Sequence, residues 1–248
     1  MVLLHGLQSH SGWFVQSAQR LASVGFPVYA FDRCGSGISR DGCDGEGLAG
    51  VLSEIETVAV RALGESGHRT FHLLGHCFGA LPALLYAAER GPDRVHGLVL
   101  ATPALYTRTD LRPLEKARVA WSVLTRRPTR MPVPLAPEEF SELPPFIEFV
   151  RSDPLVRKDF PARFLFDIGA ARRRLPHTVE QLRAPLLIAM AGEDPICDNP
   201  RNRELLRRVR VPSELHEYSG ARHVLEFSAA RDDFLADLGN WFERREAS

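Results

Sequence analysis

The stretch LLGHCFGALPALL, residues 73–85, joins a short apolar run to a helical pattern through a turn flanked by glycines. Gly75-His76-Cys77-Phe78-Gly79 has the frame G-x-S-x-G, with cysteine at its centre. A nucleophile held between a strand and a helix needs a strained, exposed backbone, and side chains two residues away would collide with the turn. Gly75 and Gly79 relieve that collision. The helix that follows directs its free N–H groups and positive end at residue 77, which favours a thiolate and a developing oxyanion. The Phe78 N–H is one candidate oxyanion donor. Small residues flank many strand–helix turns, so the frame gains weight from its setting between FHLL and LPALLYAAE.

Working outward, apolar runs alternate with helical patterns. Val2–Leu4, Phe26–Phe31, Phe71–Leu74, Leu98–Ala101, Pro185–Ala191 and Glu214–Tyr218 read as strands. Helical patterns cover 13–24, 51–63, 77–90, 200–209 and 229–244. This alternation predicts an α/β fold, a mostly parallel sheet flanked by helices on both faces. Ligands of such sheets bind beyond the carboxyl ends of the strands. Residues 103–180 interrupt the rhythm with proline- and arginine-rich sequence, helical pieces at 114–124 and 160–171, and one tryptophan with six phenylalanines. That is more apolar surface than a solvated loop carries. The expected organisation is a core of 1–102 and 181–248 with a mainly helical cap inserted at 103–180.

Composition narrows the function. The formal net charge is zero, which gives no nucleic-acid footprint. The sequence has no apolar run of membrane-spanning length and no leader at its start, so a cytoplasmic location is expected. Cys34, Cys43, Cys77 and Cys197 form no C-x-x-C pair or zinc-like spacing, and in a reducing compartment they are expected as free thiols. Only Lys116 and Lys158 are lysine among 31 basic residues, a skew that discounts arginine clusters as functional signals.

Two further loops carry chemistry. Asp194 closes the apolar run PLLIAMAGED, and His223 follows the next strand in YSGARHVLE. A base that takes a thiol proton needs a carboxylate to fix its tautomer and stabilise the imidazolium. The order nucleophile, acid, histidine is that of the nucleophile-elbow hydrolases. Asp198 competes for the acid's role, whereas Glu193 should point away. The turn His5-Gly6 lies close to the elbow, and the Leu7 N–H fits a second oxyanion donor; His5 reads as structural. His10, Gln8, His76 and Trp121 are candidate substrate-lining residues.

On these residues the chain resembles the monoglyceride lipase and lysophospholipase group of α/β-hydrolases, also described as serine-aminopeptidase-like. The resembling segments are LLHGLQSHSGW (3–13), DRCGSGIS (32–39), GHCFGA (75–80), SDPL (152–155), AGEDPICD (191–198) and GARHVLE (220–226). The resemblance implies a triad of Cys77, Asp194 and His223, oxyanion donors at Leu7 and Phe78, and an acyl groove under the cap. It implies no metal and no organic cofactor. Two departures stand out. The antiparallel edge strands that usually precede the His-Gly turn are apparently missing, and cysteine occupies the nucleophile position.

A thiol beside histidine and a helix start is a strong nucleophile at neutral pH. The leading reading is therefore an esterase, thioesterase or acyltransferase working through an acyl-thioester intermediate. Its substrate would be a small acyl compound, either free or borne by a carrier protein. Arg108, Arg112, Arg118, Arg126, Arg127 and Arg130 offer a docking face for an acidic carrier or a phosphate head group, but in so arginine-rich a chain they read first as a solvated face. Two alternatives stay open. One is a non-hydrolytic enzyme of a biosynthetic pathway that eliminates or rearranges an acyl group with His223 as base. The other is a ligand-binding pseudo-hydrolase that has lost its serine, and an engineered serine-to-cysteine change gives the same frame.

Overall fold

The computed structural model describes residues 1–40, 47–91, 93–108 and 111–246. Six parallel strands form the central sheet in the order β2-β1-β3-β4-β7-β8. They are β1 (Val2–Leu4), β2 (Tyr29–Phe31), β3 (Phe71–His76), β4 (Val95–Ala101), β7 (Leu186–Ala191) and β8 (Ser213–Tyr218). Side chains alternate between two cores with a period of two. Val2, Leu4, Leu73, Leu98, Leu100, Leu186 and Ile188 face one core. Leu3, Leu74, Val99, Leu187 and Ala189 face the other. The central strands are apolar throughout because both faces are covered. The edge strand β8 carries Glu214, His216 and Glu217 instead, and is only half buried.

The first core is closed by α2 (Gly47–Ser66), α3 (Ala80–Leu85, extended by a wide turn over Tyr86–Arg90) and α7 (Ala162–Glu180). The second is closed by α1 (Val15–Ser23) and α9 (Arg231–Glu246), with Phe234, Leu238, Trp241 and Phe242 fully buried. Register aligns the strand ends: Leu4 pairs with Gly75, His76 with Ala101, and Ala191 with Tyr218. The loops after β1, β3, β7 and β8 therefore leave the sheet along one rim.

Between β4 and β7 lie α4 (Pro113–Thr125), β5 (Arg130–Pro132), α5 (Pro137–Phe140), α6 (Pro144–Ser152), β6 (Asp159–Pro161) and α7. The strands β5 and β6 pair antiparallel. The sequence pattern places Phe160 in a helix; it lies in β6 instead, and α7 begins behind Pro161. Proline lacks the N–H a ladder needs and so falls at the strand's last residue. The second half of α7 leaves this segment and runs under the sheet, where Ala171, Leu175 and Val179 join the first core.

One expectation needs correction. Cys34 is disulfide-bonded, not a free thiol, so the reducing-compartment prior is overridden by local geometry. Cys77 and Cys197 are free, and Cys43 lies outside the described residues.

The glycines of the elbow are required by contact. A Cβ on Gly79 would sit 2.6 Å from the Leu4 carbonyl oxygen and 2.8 Å from that of His5. On Gly75 it would sit 2.4 Å from the Gly79 carbonyl oxygen. By contrast, exposed Gly64 in α2 has nothing within 4 Å of an added Cβ. Gly79→Ala is expected to destabilise the fold by about 2–3 kcal/mol through overpacking. Gly64→Ala should stabilise it by about 0.5–1 kcal/mol, because alanine loses less backbone entropy in a helix. Urea denaturation of both variants checks this; a neutral Gly79→Ala would contradict the elbow packing.

Candidate active site

The site is built from loops on the sheet's common rim. At the end of β3, Cys77 adopts φ = 53°, a left-handed conformation that costs a non-glycine residue about 1 kcal/mol or more. It swings the side chain off the strand end ahead of α3. Across the turn, an added Cβ on Gly6 would lie 3.1 Å from Cys77 Cβ and 3.4 Å from its sulfur. The loop after β1 therefore packs directly on Cys77. The nearby backbone N–H groups of Leu7 and Phe78 favour the anion of the Cys77 sulfur.

From the loops after β7 and β8 come Asp194 and His223, both fully buried. The Nδ1 of His223 donates to the Asp194 carboxylate at 2.9 and 3.0 Å. Oδ1 of Asp194 also accepts the N–H groups of Ile196 at 2.8 Å and Cys197 at 2.9 Å. Those bonds fix the carboxylate's orientation. The Nε2 atom is buried without a hydrogen-bond partner among the described residues, and the imidazole and the Cys77 sulfur act on each other electrostatically.

Charge is distributed accordingly. Burial pushes the Cys77 thiol up, but the His223 charge and the donors on its sulfur outweigh it, so its pKa falls below the ordinary thiol value. Burial likewise pushes His223 down, and the Asp194 and Cys77 charges reverse this and raise it well above the ordinary range. Asp194 is held below its usual value: burial raises it and the imidazolium more than compensates. Each of the three groups is thus shifted in the direction that favours its charged form.

Cys197 is a second thiol that sequence reasoning left without a role. Its sulfur lies 3.7 Å from His223 Nδ1 and donates to the Thr102 carbonyl at 3.3 Å. Burial and the neighbouring Asp194 push its pKa up, so it stays protonated. Donor atoms of Asp194, Cys197 and His223 gather within 4.8 Å, among the described residues the one grouping suited to a metal ion. Nδ1 and the carboxylate are already bonded to each other, so the grouping fits a hydrogen-bonded proton-transfer pair without a metal.

Other expected residues divide. Asp198 caps α8 (Asn199–Leu206) by accepting the Arg201 N–H, Asp194 is the carboxylate that meets His223, and Glu193 is exposed. His5 is fully buried and structural: its Nδ1 donates to the Gly6 carbonyl. Gln8 donates to the Val133 carbonyl. His10 Nε2 and Trp13 Nε1 both meet Asp153 Oδ2, at 2.9 and 2.7 Å. Asp153 belongs to the SDPL stretch, which therefore latches the inserted segment to the loop after β1. The structure does not bring His76 or Trp121 to the site. The His76 ring is buried and stacked on Phe14 with centroids 4.0 Å apart, because its side chain alternates to the second core. Trp121 is exposed on α4. Of the arginines weighed for docking, Arg108 donates to the Cys197 carbonyl and Arg130 pairs with Asp159.

This fold and rim geometry define an α/β-hydrolase. The family model Hydrolase_4, serine aminopeptidase S33, matches residues 1–228, and the chain belongs to that family. It is similar to human monoglyceride lipase, 26% identical over 255 residues covering 98% of this chain and 82% of that protein. A monoglyceride lipase homologue of Monkeypox virus is 23% identical, covering 97% and 88% of the two chains. Among solved structures, the Paleococcus ferrophilus monoacylglycerol lipase superposes with a TM-score of 0.90 at 25% identity, over 98% of this chain and 93% of that one. The protein is thus a lipase- or esterase-like α/β-hydrolase. No helix among the described residues is long and apolar enough to cross a membrane.

Behind the site, buried Glu226 receives the Ser17 hydroxyl and the Ser17 N–H at the start of α1. Burial raises its pKa from 4.5 to about 7. Between those values the unfolded chain has released a proton that the folded chain keeps, so stability falls as pH rises. Glu226→Gln should remove this fall, a cost of at most about 3 kcal/mol. Urea denaturation should show the variant's advantage growing from pH 5 to pH 8; a gap independent of pH would contradict the assignment.

Proposed function

We propose that the protein is an acyl-transferring hydrolase in which Cys77 is the nucleophile, His223 the general acid and base, and Asp194 the group that orients and stabilises the imidazolium. Leu7 and Phe78 N–H form the oxyanion hole. The observation that carries this reading is the fully buried His223–Asp194 pair, whose imidazole acts on a half-buried Cys77 beside the N–H groups of Leu7 and Phe78.

The Cys77 thiolate attacks the carbonyl carbon of an ester or thioester. A C–S bond forms, and the carbonyl oxygen takes the negative charge between Leu7 and Phe78. Collapse breaks the bond to the leaving group, which takes the proton from His223 Nε2. The resulting acyl-thioester is then attacked by water, an alcohol or an amine, whose proton passes to His223 as the thiolate is expelled. Leu7, Cys77, Phe78, Tyr106, Val133, Phe164 and Leu165 all belong to or pack on the first apolar core, and apolar surface suits an acyl chain. The proposed substrate is a single-chain acyl ester, in keeping with the monoglyceride lipase names of its relatives; a carrier-borne thioester is the second form to test.

With p-nitrophenyl esters we expect a burst of nitrophenol, one equivalent per protein, followed by slower turnover. Cys77→Ala should abolish the burst and cut turnover by about 10³-fold or more, whereas Cys197→Ala should keep the burst. A burst that survives Cys77→Ala would overturn the reading, and tight ester binding with no burst in the native protein would favour a binding protein.

A further inference from the structure

The loop after β2 places Arg33, a guanidinium only 2% exposed, beside the oxyanion donors. Its terminal Nη2 donates to the Gly6 carbonyl at 2.7 Å and to the Leu7 carbonyl at 3.2 Å. Its own backbone N–H donates to His5 Nε2 at 3.1 Å. His5 in turn donates from Nδ1 to the same Gly6 carbonyl at 2.8 Å. Two donors thus converge on one oxygen.

The geometry points to Arg33 as the positioning residue of the oxyanion hole, orienting and polarising the peptide that carries the Leu7 N–H. This rests on the acyl-enzyme reading above. The Gly6 carbonyl and the Leu7 N–H belong to a single trans peptide plane, in which C=O and N–H point in opposite directions. Drawing the carbonyl toward Arg33 and His5 aims the N–H the other way, at Cys77. A positive charge on the carbonyl also polarises the peptide and strengthens its donor end. The second donor residue is held too, since the guanidinium carbon lies 4.8 Å above the Phe78 ring.

The charge is sustained despite burial. Burial lowers the Arg33 pKa to about 10, still above neutral pH. Around it Glu54, Asp32 and the Cys77 thiolate oppose that fall, and Arg157 adds to it. Buried His5 is kept neutral by burial and by Arg33 itself. Sequence reading passed over Arg33 because arginine is abundant throughout this chain.

The test compares two reactions of Cys77 in the native protein, Arg33→Met and Arg33→Lys. Acylation by a p-nitrophenyl ester passes through an oxyanion. Alkylation by iodoacetamide at pH 9.5, a displacement at saturated carbon, does not. For Arg33→Met we expect acylation to fall about 10²-fold, the loss typical of one oxyanion donor, with little change in KM and alkylation held within threefold. Arg33→Lys keeps the charge but loses the planar fork, and should lose at least tenfold in acylation. Should Arg33→Met fail to fold, as judged by circular dichroism, Arg33→Lys decides alone. Acylation within threefold of native in the deciding variant would overturn the role. So would parallel loss of alkylation, which marks general damage to the site. If the native protein itself gives no acylation burst, the acyl-enzyme reading fails and this role falls with it; a native burst untouched by substitution removes only Arg33.

Discussion

The site depends on a backbone contact that leaves no room for side chains. Cys77 stands in a left-handed conformation because β3 must end, turn and start a helix within three residues. Gly75 and Gly79 let that turn close, and Gly79 also lies against the carbonyls of Leu4 and His5. The same contact that shapes the elbow therefore draws the end of β1 onto it. From this follow the approach of Gly6 to the sulfur and the convergence of the Leu7 and Phe78 donors. Strain at one residue is tolerated because two neighbouring parallel strands hold its flanks.

Electrostatics then decides which thiol ionises. Cys77 and Cys197 share the His223 imidazole, and both suffer the desolvation that opposes a buried thiolate. Cys77 gains two backbone donors and the imidazolium, and these together outweigh burial. Cys197 lies on the Nδ1 side beside the Asp194 carboxylate, where like charge adds to burial, and its S–H is spent on the Thr102 carbonyl. Around one histidine, one thiol is thus shifted towards ionisation and the other away from it. Asp194 makes the division possible by holding the proton on Nδ1, and its own Oδ1 is fixed by two N–H groups of the following turn.

Much of this was legible in the residues. Strand–helix alternation and the terminal residues of each apolar run placed the three loops on one rim, because a parallel sheet in register delivers its carboxyl ends together. What the sequence pattern did not carry were contacts between distant loops. Asp153 was quoted within SDPL, yet its bonds to His10 and Trp13 arise only when the inserted segment folds back over β1. His76 adjoins the nucleophile in sequence, but strand alternation turns it into the opposite core. The strand pair β5–β6 was hidden by short, proline-bounded segments with no clear period. Cys34 was assigned from compartment chemistry, which says nothing of local geometry. Asp198, weighed as a competitor to Asp194, turns out to cap α8.

The central claim is that the ionised sulfur of Cys77 carries the acyl group. Intact-protein mass spectrometry after brief exposure to a panel of acyl esters and acyl thioesters, followed by peptide mapping, addresses it directly. The account predicts a mass gain of one acyl group located on the peptide that contains Cys77. That adduct should be lost on treatment with hydroxylamine, as a thioester is. A stable acyl adduct on Cys197, or turnover of the same esters with no acyl group ever held on Cys77, would contradict it.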